Sequence, residues 1–216
     1  MKKLNVLALS AAIAAASLTT SGTAVAEVTA NIGATSNYLW RGTSLSSEAA
    51  AISGGVDYAH DSGLYAGVWV SNEGYVESTG ANATGETDLY AGYAGEYEGI
   101  SYDIGYLSYM YPQAGSAADA DFDEVVLSVG YEFAEFLYAT SSDIEADYMA
   151  LTLSHDRYSF TYGDYAFDLD SSSDYSHFDL SAALTDELSI TYSQNDITGD
   201  DDGRLVVAYG LEFDVK

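Results

Sequence analysis

Carboxylate side chains recur at alternate positions in several stretches of the sequence whose remaining positions are apolar. On strands that line water, acids on one face would create a negative potential that concentrates cations and repels anions. Because several of these acids fall at strand ends, where they are simply solvated, the pattern predicts cation preference for the set and no role for a single residue. The candidate lining residues are Glu86, Asp88, Glu96, Glu98, Asp103, Glu124, Glu132, Asp179, Glu212 and Asp214.

Two arginines accompany these acids. Arg41 ends the first predicted strand and Arg204 opens the last, each on the face opposite the apolar residues. If the first and last strands pair, both arginines lie near each other at one rim and point inward. Two hypotheses stay open: the arginines set a local field at the mouth of a pore, or each pairs with a neighbouring carboxylate and stabilises the seam.

Residues suited to enzyme or metal chemistry are few. Ser154 and His155 are sequence neighbours, so on a strand they point to opposite faces and cannot act as a nucleophile and its base. There is no cysteine and no glycine-rich phosphate loop. The acidic stretch 196–203 resembles a calcium loop in composition but lacks the bidentate glutamate at its twelfth position. We therefore predict no catalytic residue, no cofactor and no metal site.

The elements that position these residues are strands, because apolar and polar residues alternate with a period of two. The last stretch places Leu205, Val207, Tyr209, Leu211, Phe213 and Val215 on one face and small or charged residues on the other. The pattern predicts twelve strands, at 28–40, 48–60, 63–73, 86–98, 99–111, 121–133, 136–141, 145–156, 157–168, 174–185, 187–196 and 203–215.

The connections between these strands alternate between long and short. Long, acidic loops separate some pairs, whereas tight turns such as Asp61-Ser62-Gly63 and Glu98-Gly99 separate others. Outer-membrane barrels have long outer loops and short periplasmic turns. The fold class expected is an all-β, transmembrane, up-and-down antiparallel barrel; the alternative is a soluble, lipocalin-like barrel with its apolar face inside.

Aromatic residues near the outer ends of the predicted strands fit the girdles that outer-membrane barrels place at the lipid interface. The candidates are Tyr38, Trp40, Tyr75, Tyr111 and Tyr175.

Residues 1–26 have the pattern of a cleaved secretory signal peptide, with Lys2 and Lys3 before a short apolar run and Ala24-Val25-Ala26 at its end. Its removal leaves one predicted domain, 27–216, with four basic residues against 34 acidic ones, a formal charge of −30. Such a charge excludes nucleic acid as a partner, since phosphate binding needs a basic surface.

The stretch from Ser36 to Ser44, SNYLWRGTS, resembles the signature of a proteobacterial family, the TorF-type porins (Gcw_chp). The stretches 54–58, 63–72 and 86–93 are similar to that family too. The resemblance covers about the first third of the exported chain. It implies an outer-membrane barrel that forms a pore.

These features together predict an outer-membrane porin with a narrow, partly plugged, cation-favouring channel for ions and small polar solutes. Its expected partners are outer-membrane lipid and lipopolysaccharide, and the barrel assembly machinery during biogenesis. Two alternatives stay open: a non-conducting barrel with a structural or surface-interaction role, and a soluble barrel that binds an apolar ligand.

Overall fold

Strand formation follows from the alternation of β-branched, aromatic and small residues along the whole chain. The computed structural model describes residues 27–72, 85–112, 121–168 and 171–215. The signal peptide predicted over residues 1–26 and Tyr75 of the predicted girdle lie outside these ranges. Among the described residues, no helix is long and apolar enough to span a membrane.

The strands of the described chain, with one short 3₁₀ turn at Ser171–Ser173 before β12, have the following bounds. They are β1 (Glu27–Thr35), β2 (Leu39–Trp40), β3 (Thr43–Ser44), β4 (Ala51–Ala59), β5 (Leu64–Ser71), β6 (Glu86–Tyr97), β7 (Ile100–Met110), β8 (Phe122–Tyr131), β9 (Ala134–Ser141), β10 (Ala146–His155), β11 (Tyr158–Phe167), β12 (Tyr175–Ala183), β13 (Leu188–Asn195) and β14 (Arg204–Asp214).

Twelve of these strands form one closed antiparallel barrel, in the order β1, β4 to β14 and back to β1. The closure is direct, since β1 pairs with β4 on one side and with β14 on the other. Gly33, for example, faces Ser53 of β4 and Gly210 of β14. The predicted up-and-down barrel of twelve strands is confirmed.

The two ends of the barrel differ in the length of their connections. At one end, the short-turn end, the strands are joined by residues 60–63, 98–99, 132–133, 156–157 and 184–187. At the other, the long-loop end, the connections include residues 36–50, 72–85, 111–121, 168–174 and 196–203. One connection at the long-loop end, 142–145, is short. The alternation predicted from the sequence is thus present apart from this connection.

The side chains follow the predicted parity with the apolar face turned outward. In β14, Leu205 is 66% exposed and Tyr209 46%, whereas the residues of the other parity, Arg204, Val206 and Ala208, are buried. A barrel that holds its apolar ligand inside would have the opposite arrangement. The lipocalin-like alternative is therefore wrong, and the outer face is of the kind that contacts lipid.

The first predicted strand, 28–40, is wrong in its second part, because β1 ends at Thr35. Residues 36–50, named here the plug segment, turn into the barrel and form the small hairpin β2–β3. The two residues between these strands, Arg41 and Gly42, have φ of 49° and 79°. A two-residue hairpin turn with positive φ at both positions matches the twist of its strands. The chain therefore reverses at Arg41, inside the barrel.

The aromatic girdle predicted at the long-loop end needs correction. Tyr38 and Trp40 belong to the plug segment and pack inside, where Tyr38 is 4% exposed. Tyr175 lies on the inward face of β12 and is 8% exposed, and Tyr111 packs half-buried against the inner aromatic cluster. Exposed aromatic residues at or next to the short turns were not in the predicted set. They include Tyr58, Tyr97, Tyr131, Phe133 and Tyr158.

Candidate functional site

Glycines on the inner wall make room for tyrosine rings that lie across it. Tyr90 lies over Gly67, its partner on the neighbouring strand, and Tyr65 lies over Gly92. A Cβ atom on either glycine would overlap the facing tyrosine. Small residues opposite large ones let the rings fold against the wall instead of projecting across the lumen.

The plug segment contacts a cluster of aromatic rings in the long-loop half of the lumen. Trp40 lies edge-on to Tyr165 and Tyr109, with ring centroids 5.7 and 6.2 Å apart, and it also contacts Phe122. Tyr109 and Phe122 stack on each other at 4.5 Å. Edge-to-face and offset arrangements are the favourable geometries for aromatic pairs. This cluster fixes the hairpin in the lumen and narrows the barrel.

Arg41, at the tip of the hairpin, forms a bidentate ion pair with Glu124 on β8. Its two terminal nitrogens donate to the two carboxylate oxygens, both at 2.7 Å. The side chains of Arg41 and Glu124 are 9% and 1% exposed. The Tyr109 hydroxyl donates a third hydrogen bond to Glu124, at 3.1 Å. Parallel charge-assisted hydrogen bonds of this kind are among the strongest polar contacts in proteins.

Three aromatic rings surround the same guanidinium group. The Cζ atom of Arg41 lies 4.3 Å from the ring centroids of Trp40 and Tyr148 and 5.1 Å from that of Tyr165. A cation over a desolvated ring is stabilised by the ring quadrupole. An arginine side chain is not deprotonated in proteins, and the adjacent Glu124 carboxylate favours its charged form further. The charge of Arg41 is therefore permanent.

Further contacts hold the plug segment on both sides of its hairpin. The Tyr38 hydroxyl donates to Glu86 at 2.6 Å. On the other side, the side-chain amide of Asn195 donates to the Gly42 carbonyl at 2.9 Å. Gly42 rests on the ring of His177 so closely that a Cβ atom would overlap it. The hairpin is thus attached to β6, β8, β12 and β13.

The two arginines that were predicted to lie together have different partners. Arg41 reaches Glu124 on β8, which is separated from β1 by β4 to β7. Arg204 opens β14, as predicted, and binds Asp200 in the preceding loop, with Glu48 of the plug segment 3.5 Å away. The sequence could not reveal this difference, because it depends on the inward turn after Thr35.

Below the plug segment, toward the short-turn end, one wall of the lumen is acidic. Tyr65 donates to Asp103 at 2.9 Å, and both Asn31, at 3.0 Å, and Tyr90 donate to Asp57. Further acids on the inward parity of this wall and of the neighbouring strands are Glu96, Glu135 and Glu212. We name these five acids, Asp57, Glu96, Asp103, Glu135 and Glu212, the vestibule acids.

The opposite wall of the vestibule carries hydroxyl groups. Thr152 on β10 and Thr161 on β11 are cross-strand partners whose hydroxyls lie 2.9 Å apart. Ser181 on β12 and Thr191 on β13 are paired in the same way, at 2.8 Å. One wall therefore carries the vestibule acids, whereas the other presents mainly hydroxyl groups, with Asp179 as an inward acid beside Thr161.

The predicted lining residues occupy three environments. Glu86, Asp88 and Glu124 are buried around the plug segment, with 2–6% exposure. Asp103 and Asp179 are half-buried on inward positions, whereas Glu96 and Glu212 are exposed on inward positions near the short-turn end. Glu132 was predicted on a strand face, but it lies in the β8–β9 turn, with φ of 53°. Like Glu132, Glu98 lies in a short turn, and Asp214 is exposed at the end of β14.

Among the lumen residues absent from the predicted set are two acids and one histidine. Asp57 alternates with Val56 and Tyr58 in β4, so the period of two was sufficient to find it. Glu135 was missed because β9 begins two residues earlier than predicted. His177 is 3% exposed, accepts or donates a 2.9 Å hydrogen bond with the Tyr148 hydroxyl, and lies 3.5 Å from Asp179. No group of three or more potential metal ligands occurs within the part of the chain that the structure describes.

Solved structures with this architecture include porins. The chain is similar to a KdgM porin, with a TM-score of 0.50 and 8% identity over 87% of this chain and 99% of that one. A KdgM porin in complex with disordered oligogalacturonate gives a TM-score of 0.49 and 8% identity, covering 89% and 100% of the two chains. A triple mutant of Rhodopseudomonas blastica porin gives 0.35 and 9%, covering 89% and 100%. At such identities the likeness concerns the fold alone.

No curated protein sequence matches the chain. A family model does match, over residues 19–199, and it is described as a bacterial protein of unknown function, Gcw_chp. The TorF-type designation and the proteobacterial origin stay predictions. Since the match covers most of the 216 residues, the chain belongs to the Gcw_chp family.

Proposed function

We propose that this protein is an outer-membrane porin whose barrel forms a narrow, passive, cation-favouring channel for ions and small polar solutes. The observation that carries the proposal is the inside-out distribution of side chains. Large apolar residues cover the outer wall, whereas acids, hydroxyls and a clamped arginine occupy the inner one. A soluble protein would pay a large hydration cost for such an outer wall.

The dimensions of the strands agree with a membrane location. The barrel strands have 8–12 residues, and a tilted strand needs about 9–11 residues to cross a bilayer. Outward aromatic rings at the short-turn end are placed as in an interfacial girdle. Outer-membrane lipid, lipopolysaccharide at the acidic loops and the barrel assembly machinery are the partners we propose, with export directed by residues 1–26.

The plug segment would set the size limit of the channel. Barrels of about eight strands are filled by side chains, and those of sixteen or more enclose an aqueous channel. Twelve strands with Trp40 and Arg41 inside leave room for ions and small solutes only. The vestibule acids would then favour cations on the approach to this constriction.

Planar-bilayer recording in a potassium chloride gradient tests the proposal. We expect small current steps and a reversal potential of the sign given by cation selectivity. An anion-selective reversal would contradict the proposed selectivity. Absence of steps from protein that shows heat-modifiable gel mobility, the sign of a folded barrel, would contradict conduction altogether.

A second function is favoured by one observation, the tight packing around the plug segment. Leu107, Glu124 and Ala139 are at most 2% exposed. A barrel that is sealed around the plug segment would conduct nothing. It would act as a structural or surface-interaction protein through its acidic loops. Silent bilayers with folded protein would favour this second function.

A further inference from the structure

The surroundings of Arg41 have the features of a binding site for a guanidinium cation. Glu124 supplies two carboxylate oxygens at 2.7 Å, and the faces of Tyr148 and Tyr165 cover the planar group at 4.3 and 5.1 Å. The Tyr109 hydroxyl orients the carboxylate. All four of these residues belong to the barrel wall, on β7, β8, β10 and β11. The guanidinium group alone comes from the plug segment.

The buried charge of Glu124 makes this site dependent on a cation. Its side chain is 1% exposed, and a carboxylate removed from water is costly unless a cation and hydrogen bonds compensate it. Arg41 is the cation in this structure. Among the three arginines that the structure describes, Arg41, Arg157 and Arg204, it is the one paired with this carboxylate.

We infer that Glu124, Tyr109, Tyr148 and Tyr165 form a guanidinium-binding site in the lumen, that Arg41 occupies it as an internal ligand, and that a guanidinium cation from solution can occupy it when Arg41 is absent. The ligand class is set by geometry. A planar fork matches the carboxylate through two parallel hydrogen bonds and lies flat on aromatic faces, whereas a compact ammonium ion does neither.

Occupancy by Arg41 explains why the plug segment remains in the lumen. An internal ligand on a short tether competes at a high effective concentration. Here the tether is the two-residue turn of the β2–β3 hairpin, Arg41 and Gly42. The packing of Trp40 against Tyr165 and the hydrogen bond from Asn195 to the Gly42 carbonyl hold this turn in place. A solution guanidinium therefore binds the wild-type protein far more weakly than a variant that lacks the Arg41 side chain.

The test measures binding of guanidinium chloride at millimolar concentration to the refolded full-length mature protein by isothermal titration calorimetry in detergent. We expect Arg41→Ala to bind guanidinium at least about ten-fold more tightly than wild type, which corresponds to about 1.4 kcal/mol. The matched control is Arg41→Ala combined with Glu124→Gln, which keeps the cavity but removes the carboxylate. We expect this double variant to lose the binding. Sodium and tetramethylammonium chloride at equal concentration are the cation controls.

Equal heats from Arg41→Ala and the double variant, or equal effects of guanidinium and sodium, would overturn the inference. If Arg41→Ala does not fold alone, the folded fraction after refolding becomes the measurement. A rise with guanidinium but not with sodium then supports the site, and equal yields refute it. Binding is measured without a current, so a barrel that does not conduct can still confirm the guanidinium site.

Discussion

Tyr65 on β5 lies across Gly92 on β6, and its hydroxyl reaches Asp103 on β7 at 2.9 Å. One side chain thus spans three adjacent strands along the inner wall. The hydrogen bond holds an acid of the vestibule in place. It can form because Gly92 has no side chain to block the Tyr65 ring. The same arrangement recurs where Tyr90 crosses Gly67 and reaches Asp57.

Replacing Gly92 with alanine should therefore displace Tyr65. The new Cβ atom would overlap the Tyr65 hydroxyl and the Ile104 carbonyl oxygen. Overpacking of this kind costs about 1–3 kcal/mol, and we expect that loss in the free energy of unfolding, measured by urea titration in lipid vesicles. The matched control is Gly54→Ala in β4, whose Cβ atom would meet the Asn31 carbonyl oxygen at 3.2 Å. A loss at Gly92 no larger than at Gly54 would contradict this account.

Truncation of Trp40 should enlarge the constriction. The indole contacts Tyr109, Phe122 and Tyr165, so Trp40→Ala leaves a cavity between the plug segment and the wall. We expect larger single-channel current steps, together with a loss of about 3–5 kcal/mol in the free energy of unfolding. Tyr97→Ala is the control, because Tyr97 is 69% exposed on the outer face. Unchanged current steps in the Trp40 variant would remove the plug segment from the conduction path.

Neutralising vestibule acids should weaken the preference for cations. Asp103→Asn combined with Glu212→Gln removes two inward charges near the short-turn end. A charge about 4 Å from a passing cation contributes about 1 kcal/mol even at the permittivity of water. We therefore expect the cation-to-anion permeability ratio to fall by up to about five-fold, read from the reversal potential in a salt gradient.

The control for this experiment is Asp164→Asn, which removes an exposed carboxylate from the outward parity of β11. An equal change in both proteins would mean that the net charge of the molecule, rather than its inner wall, determines ion preference.

The strands were predictable because their signal is local. In β14, for example, the alternation of neighbouring residues is enough to assign each side chain to the inner or the outer face. The exposures of Leu205 and Val206 follow that alternation. Loop lengths then separated the two ends of the barrel. The sequence was sufficient at this level because a period of two is what a half-buried strand requires.

The plug segment was not predictable in the same way. Tyr38 and Trp40 have the same parity as Ile32 and Ala34 of β1, so the pattern extends the strand through them. Where the chain leaves the strand, the hydroxyls of Ser44 and Ser46 both donate to the side-chain oxygen of Asn37 and stabilise the inward turn. The pairing of Arg41 with Glu124 joins residues 83 positions apart and depends on this inward turn. Local patterns contain no information about it.

The two arginines of the lumen should differ in their contribution to stability. Arg41→Ala leaves Glu124 buried and unpaired, and breaking a buried ion pair costs about 3–5 kcal/mol. Arg204→Ala frees Asp200 and Glu48, whose side chains are 42% and 68% exposed and can turn to water. Pairs with exposed partners contribute about 0–1 kcal/mol. Urea unfolding of both variants and of the wild type measures the difference in the free energy of unfolding. Equal losses in the two variants would mean that burial of the partner carboxylate does not determine how much stability each arginine contributes.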